Sequence, residues 1–309
     1  MSTVGGSTRP GATRGRLRPV WEEEPRRAGL AAKGTVLVLA CAAILFPLWI
    51  VIVTSMSSVK TITQAGGLVV VPREITFVAY QELLGGGQVT RAALVSVGVT
   101  TTGTVFSMTV SVLCAYGLSR SGSLLHRPLL VTLLATLFFG AGLIPTYLLV
   151  QGLGLTDTYM SLILPSAVSV FNILVLRSFF MSVAPELLDS ARIDGAGDVR
   201  ILWTIIMPLS RAVLAVIALF YAVGYWSAWF NASIYLSDQN MMPLQNVMMQ
   251  LVLKQERPTG LAQAINTGRL SPLSIQMAVM VLALLPVAVL SPFVQRHFKK
   301  GMLTGAVKG

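Results

Sequence analysis

The stretch ELLDSARIDGAGDVRILWTIIMPLS, Glu186 to Ser210, carries six charged side chains, and Arg211 follows at once. Its pattern reads as helix, break, helix and stop. Ser182 stands where it can cap, Pro185 suits a first helical turn, and Glu186 is well placed against the helix dipole. Asp189 and Arg192 form an i,i+3 pair, and Gly195 and Gly197 then break the helix where the chain needs a positive φ. Asp198 can cap a second helix, which Pro208 ends or kinks. The expected product is a short amphipathic helix displaying Leu187, Leu188, Ala191 and Ile193 among charges.

The rest of the chain is apolar. Hydrophobic residues make up 54% of it and charged residues 11%, with a mean hydropathy of +0.74. A soluble domain is about 25% charged, so the chain falls in the membrane class. Its net charge of +11 does not point to nucleic acid, because the basic residues are sorted by side of the membrane, as shown below. Cys41 and Cys114 both lie in apolar runs and read as small buried hydrophobes. The two histidines, His126 and His297, are too few and too separate for a zinc or haem site. No metal, cofactor or catalytic constellation is expected.

A bilayer core about 30 Å thick requires about 20 apolar residues per helix. Six windows qualify: Thr35–Met56, Ala92–Leu118, Leu129–Val150, Tyr159–Phe180, Ala212–Leu236 and Ile275–Phe293. The second is rich in Ser, Thr and Gly, which suits close helix–helix contact better than lipid. The charged stretch therefore lies between the fourth and fifth spans. It should form a short helix lying across the membrane axis at the cytoplasmic surface. Residues 1–33, rich in Gly, Arg, Pro and Ser/Thr, read as a disordered cytoplasmic tail, and 299–309 as a second tail. Between them, 34–298 form the membrane domain, with the charged segment at 185–208.

With the N-terminus inside, the cytoplasmic segments hold seventeen of the 23 basic residues and the outer segments six. The loop QGLGLTDT between spans three and four has no Lys or Arg. Both termini are therefore expected in the cytoplasm, with some attraction to anionic head groups of the bilayer.

No Asp, Glu, Lys or His falls clearly inside a span. Proton-driven transporters usually need such a group, and membrane hydrolases need paired catalytic ones. No Walker motif is present, so ATP is not hydrolysed by this chain. If something is moved uphill, the energy comes from a partner.

At this point the charged stretch resembles a known signature. The EAA segment of ABC importer permeases reads Glu-Ala-Ala, three residues, Gly, nine residues, Ile-x-Leu-Pro. Here Asp189-Ser190-Ala191 is followed by three residues, Gly195, nine residues and Ile205-Ile206-Met207-Pro208, without a gap. The departures are Asp189, Ser190 and Met207, all mild in volume or chemistry. The ending SPFVQRHFKKGMLTGAVKG is similar to that of permeases of the maltose-type carbohydrate importers, above all the complex-oligosaccharide branch.

That resemblance implies an all-α integral membrane protein with six transmembrane helices, the last five forming the type I importer (MetI-like) core, and makes 34–298 a permease domain. It implies a bacterial cell-membrane location and four partners: a second homologous permease, a dimer of cytoplasmic ATP-binding subunits, an extracellular or lipid-anchored solute-binding protein, and a sugar substrate. By analogy Asp189, Ser190, Ala191, Asp194, Gly195 and Ala196 would contact the ATPase, with Pro208 fixing the exit into span five. Two rival readings stand beside it, a sodium-coupled secondary transporter and a non-transporting assembly subunit. The first would need two matching broken helices, which the sequence does not display.

The run GYWSAWFNASIYL closing span five is crowded with aromatics. Trp229 and Tyr235 fit the interfacial belt, whereas Tyr225, Trp226 and Asn231 are candidates for a sugar pathway; belt and pathway both remain open for this run. The outer loops, 57–90 and 237–274, either receive the binding protein or are plain connectors. The C-terminal basic run either tucks into the ATPase interface or frays.

Overall fold

The computed structural model describes residues 27–85, 87–120, 122, 125–253 and 264–305; the tail 1–26 and the end of the chain, 306–309, lie outside the described residues. Among the described residues regular structure is helical, with one isolated β-bridge between Ser57 and Ile75. The chain forms two compact units, Met1–Trp49 and Ile50–Gly309.

Helix α1 runs Arg27–Ser55 and so begins inside the segment read as tail. Cys41 on it is exposed, not buried as its apolar run suggested. After α1 come two short helices, Val59–Gln64 and Val78–Gly85, in the loop between the first two spans. Helix α2, Gln88–Ser119, follows. At 1.5 Å per residue it is about 48 Å long, longer than a bilayer core.

The third and fourth spans are broken rather than straight. Helix α3, His126–Phe138, meets α4, Leu143–Gly152, at 118°. The single helix expected over Leu129–Val150 is thus replaced by two, because Gly142 takes a φ of +82° at the start of α4. The window Tyr159–Phe180 becomes α5, Met160–Ile163, running into a 3-10 turn at Leu164–Ser166, and then α6, Val170–Met181, bent by 53°. Pro165 in the turn has no N–H for the helical ladder, and Ser169 starts α6 by accepting from the Asn172 amide.

Helices α7, Pro185–Ile193, and α8, Asp198–Leu209, form the charged segment. Span five is α9, Arg211–Trp226, separated by Ser227–Ala228 from α10, Trp229–Tyr235. Helix α11, Leu244–Leu253, lies in the loop between the last two spans, and α12, Pro272–Gly305, closes the described chain as one helix that includes Pro286 and Pro292. It continues past the expected end of the span and into the segment read as a tail. Among the described residues, three helices are long and apolar enough to cross a membrane singly, and the count reaches six if each bent pair is one span.

The core is built on the small-residue face of α2. Gly103, Ser107 and Ser111 recur at four-residue spacing toward α9, as the expected helix–helix role of these residues requires. Gly103 lies against the ring of Tyr225, where an added Cβ would stand 2.8 Å from it. One turn on, the Ser107 hydroxyl pairs with the Tyr225 hydroxyl at 2.7 Å, and Ser111 pairs with Tyr221 at 2.7 Å. Tyr225 also donates to the Ile163 carbonyl at 3.1 Å, and Tyr221 accepts from the Ser169 amide at 3.1 Å. Two tyrosines of α9 thereby join α2 to the broken span four. Near the start of α2, Ser96 accepts from the Leu244 amide at 2.8 Å and ties α11 to α2.

Candidate coupling segment and translocation cavity

The stretch Pro185–Leu209 folds as two short helices around a glycine turn. Pro185 occupies the first turn of α7, Glu186 lies at its positive end and Arg192 at its negative end. Ser182 does not cap α7: it ends α6, its hydroxyl donating to the Phe179 carbonyl at 2.7 Å, and Ala184 precedes α7 without a side-chain cap. The Asp189–Arg192 pair forms at 3.2 Å on an exposed face.

The exit from α7 explains the motif spacing. Gly195 takes a φ of +77° and donates to the Arg192 carbonyl at 3.0 Å, and Ala196 donates back to Ala191 at 2.9 Å. This pair of bonds, six-to-one over five-to-two, is the Schellman ending that glycine makes accessible. Ala191 and Ala196, at its two ends, are half-buried and pack toward the body of the protein. Asp189, Ser190, Asp194 and Gly195 are exposed. Of the six residues carried over for ATPase contact, four thus lie at the surface and two support the turn from within. Gly197 departs from expectation: its φ of −71° and ψ of 166° are extended and need no glycine.

Asp198 does not cap α8 with its side chain. Its carboxylate forms an ion pair with Arg120, just beyond the end of α2, and its carbonyl accepts from the Tyr116 hydroxyl at 3.0 Å. The Arg120 guanidinium also lies over the Tyr116 ring, 4.5 Å from its centre, and bonds the Tyr116 hydroxyl. Ile201, Leu202 and Ile206 anchor α8 in the core. Residues Leu202–Ile206 widen into a π-helical turn just before Pro208, whose ring nitrogen cannot join the ladder. The chain leaves α8 at Ser210 and enters α9 at 87°. The surface that remains is apolar as well as charged: Ile193 is 86% exposed, and Val199 and Trp203 are also exposed. Under it lies a cavity of about 650 Å³ lined by Tyr116, Arg120, Phe180, Leu188, Arg192 and Ile206.

A second cavity, of about 440 Å³, lies where two helices are interrupted. Ser166 and Ser169 from the break in span four line it, and so do Ser227 and Ala228 from the break after α9. Irregular backbone at membrane depth is tolerated where it lines such a space. Tyr221, Tyr225 and Asn231 face the same cavity, together with Asn172, Phe220 and Phe230. Two of the three proposed pathway residues are therefore brought together. Trp226 is not with them: its indole is buried on the opposite side, donating to the Ala283 carbonyl at 2.8 Å. Tyr235, expected in the interfacial belt, is buried and stacked on Tyr147 with ring centres 6.1 Å apart. Trp229 is exposed, with its ring edge-on to Phe230.

Sequence reading missed Arg120, Tyr116, Tyr221 and Asn172. Tyr221 had a signal, four residues before Tyr225 on the same helix face, and Asn172 had one as a lone carboxamide within an apolar span. The Arg120–Asp198 pair, far apart in sequence, had none.

An all-helical body with bent spans, a cavity at their breaks and a charged segment turned through 87° defines a multi-pass membrane permease. The family model described as binding-protein-dependent transport system inner membrane component matches residues 99–304, and the chain belongs to that family. The polygalacturonan/rhamnogalacturonan transport system permease protein YtcP of Bacillus subtilis (strain 168) is 39% identical over 277 residues, 89% of this chain and 96% of that one. Protein LplC of the same organism is 37% identical over 238 residues, 77% of this chain and 81% of that one. A chain from the crystal structure of a bacterial ABC transporter involved in the import of the acidic polysaccharide alginate matches with a TM-score of 0.84 at 29% identity, covering 91% of this chain and all of that one. The resemblance drawn from the spacing between Asp189 and Pro208 thus holds at the level of the family. Continuity of the helices no longer argues against a sodium-coupled transporter, since spans three to five are interrupted; family membership does.

Proposed function

We propose that the chain is the permease subunit of an ATP-driven, binding-protein-dependent oligosaccharide importer, and that it lines half of an alternating-access pathway. The observation that carries this reading is the Pro185–Leu209 segment, which is held to the core from beneath and exposes Ile193, Val199 and Trp203 outward. An exposed apolar set rimmed by charge is the usual mark of a protein contact. Its partner is a cytoplasmic ATPase, one copy under this chain and one under a second, homologous permease. Closure of the ATPase dimer pushes on α7, and the Schellman turn and the Arg120–Asp198 pair pass that displacement to α2 and α9. Asp189, Ser190, Asp194 and Gly195 meet the ATPase surface; Ala191, Ala196 and Pro208 hold the angle.

The cavity between the two breaks is this chain's part of the sugar pathway, contacted by Tyr225 and Asn231. Trp226 keeps only a packing role. A solute-binding protein, free outside or lipid-anchored, delivers the sugar to the outer loops. Both termini are cytoplasmic, and 34–298 constitute the permease domain between the tails 1–33 and 299–309. Carbohydrate as the substrate class is supported by the transport systems named for the relatives and by the aromatic and hydroxyl lining of the cavity.

Affinity purification of the tagged chain from its native membrane tests the proposal. It predicts recovery of an ATPase and a second permease, with the ATPase lost on Ile193→Asp. Recovery of neither partner overturns it.

A further inference from the structure

Asn172, on the first turn of α6, is 5% exposed and lines the 440 Å³ cavity. Its backbone amide is engaged, donating to the Ser169 hydroxyl at 3.4 Å. Its carboxamide makes no hydrogen bond to any described residue. Elsewhere the protein treats such a group differently: Asn246, 4% exposed, donates to the Trp229 carbonyl at 3.3 Å and to the Ser233 hydroxyl at 3.0 Å. A carboxamide has two donors and an acceptor, and at Asn172 these open on the cavity instead of on protein partners. The space that Asn172 lines is the cavity between the interruptions of two spans.

We infer that Asn172 is the residue with which this chain holds the passing sugar, and that the glycosyl unit seated there is uncharged. The inference rests on the reading of this cavity as the pathway. A carboxamide can donate to one sugar hydroxyl and accept from its neighbour. The Ser166, Ser169 and Ser227 hydroxyls add exchangeable partners, and Phe220 and Phe230 offer apolar ring faces to the sugar's C–H face. The described lining includes no Lys, Arg or His. A uronate carboxylate seated against this half of the pathway would lose its water with no cation from this chain to replace it, whereas a hydroxymethyl group loses far less. A mixed oligosaccharide would place its neutral unit here.

The test uses the complete importer in proteoliposomes, with both permeases, the ATPases and the binding protein. Its three probes are galactotriose, trigalacturonate and methyl-esterified trigalacturonate, which share their hydroxyls and differ at C6. Galactotriose and the ester are expected to enter about tenfold faster than the acid. Asn172→Leu should slow both uncharged probes about tenfold, the loss of about one hydrogen bond to an uncharged partner. Asn172→Asp, which keeps the size and an acceptor, should retain most galactotriose uptake and exclude the acid further, and carries the same test if the Leu variant does not assemble. The acid entering as fast as the ester, or none of the three entering, overturns the ligand class. Full-rate galactotriose uptake by Asn172→Leu overturns the role of Asn172. ATP hydrolysis stimulated by the loaded binding protein is followed in the same vesicles. Its absence in the wild type counts against the importer reading itself, while its persistence alongside wild-type selectivity in the variants counts against Asn172 alone.

Discussion

The Ala196 amide donates to the Ala191 carbonyl across 2.9 Å, and that bond closes the turn through which the charged segment reverses. It forms because Gly195 between them sits at φ +77°. The motif letters thus divide by physics: glycine makes the turn, two alanines fill the space beneath it, and the charged residues stay outside.

Substitution at Gly195 should be graded by tolerance of the left-handed region rather than by size, since no atom lies within 4 Å of a Cβ placed there. Gly195→Asn should be mild, Gly195→Ala should cost about 1 kcal/mol, and Gly195→Val more. Uptake should fall in that order while the amount inserted in the membrane stays constant. Equal uptake in all three would remove the turn from the account.

The Arg120–Asp198 pair is partly exposed, Asp198 on 66% of its side chain, so it should add less than about 1 kcal/mol to stability. Its role is positional. Arg120→Ala and Asp198→Asn should leave thermal unfolding in detergent nearly unchanged and reduce sugar uptake per ATP hydrolysed. The exchanged pair Arg120→Asp with Asp198→Arg should restore part of the coupling. A double-mutant cycle with no interaction energy in the transport readout contradicts this.

Gly103 and Tyr225 form a tight contact between α2 and α9. Gly103→Val should destabilise by about 1–3 kcal/mol, because the ring cannot yield without giving up its bonds to Ser107 and Ile163. Tyr225→Phe keeps the ring and should cost about 1 kcal/mol through the hydroxyl alone. Thermal unfolding of the purified subunit checks both values.

Trp226 was a pathway candidate by composition, and its placement predicts otherwise. Trp226→Phe should lower stability by about 1–2 kcal/mol through the lost bond to Ala283 and leave substrate preference unchanged. A change in which sugars are taken up would put Trp226 back in the pathway.

Much of this molecule is legible in its letters, for identifiable reasons. Long apolar windows mark the spans because a bilayer leaves few alternatives, and the small residues of α2 announce a close packing face. Spacing picks out the charged segment because one residue, Gly195, must adopt a positive φ a fixed distance from the helix it ends. What the letters hide is where helices break. The interruption at Ser227–Ala228 contains neither Gly nor Pro, and Trp226 leaves the cavity side because its indole finds a carbonyl on α12. Tyr235 fits a belt residue by position and is buried because Tyr147 lies opposite. Such outcomes depend on partners distant in sequence, as does the meeting of Arg120 with Asp198.

The central claim is that Ile193 and its neighbours seat on an ATPase. The most direct measurement places a photo-crosslinking residue at position 193 in the assembled complex and identifies what it captures with and without ATP. The account predicts one product, this chain joined to the ATP-binding subunit, with a yield that changes when nucleotide closes the dimer. Capture of lipid alone, or of the same ATPase site at an unchanged yield in every nucleotide state, would contradict it.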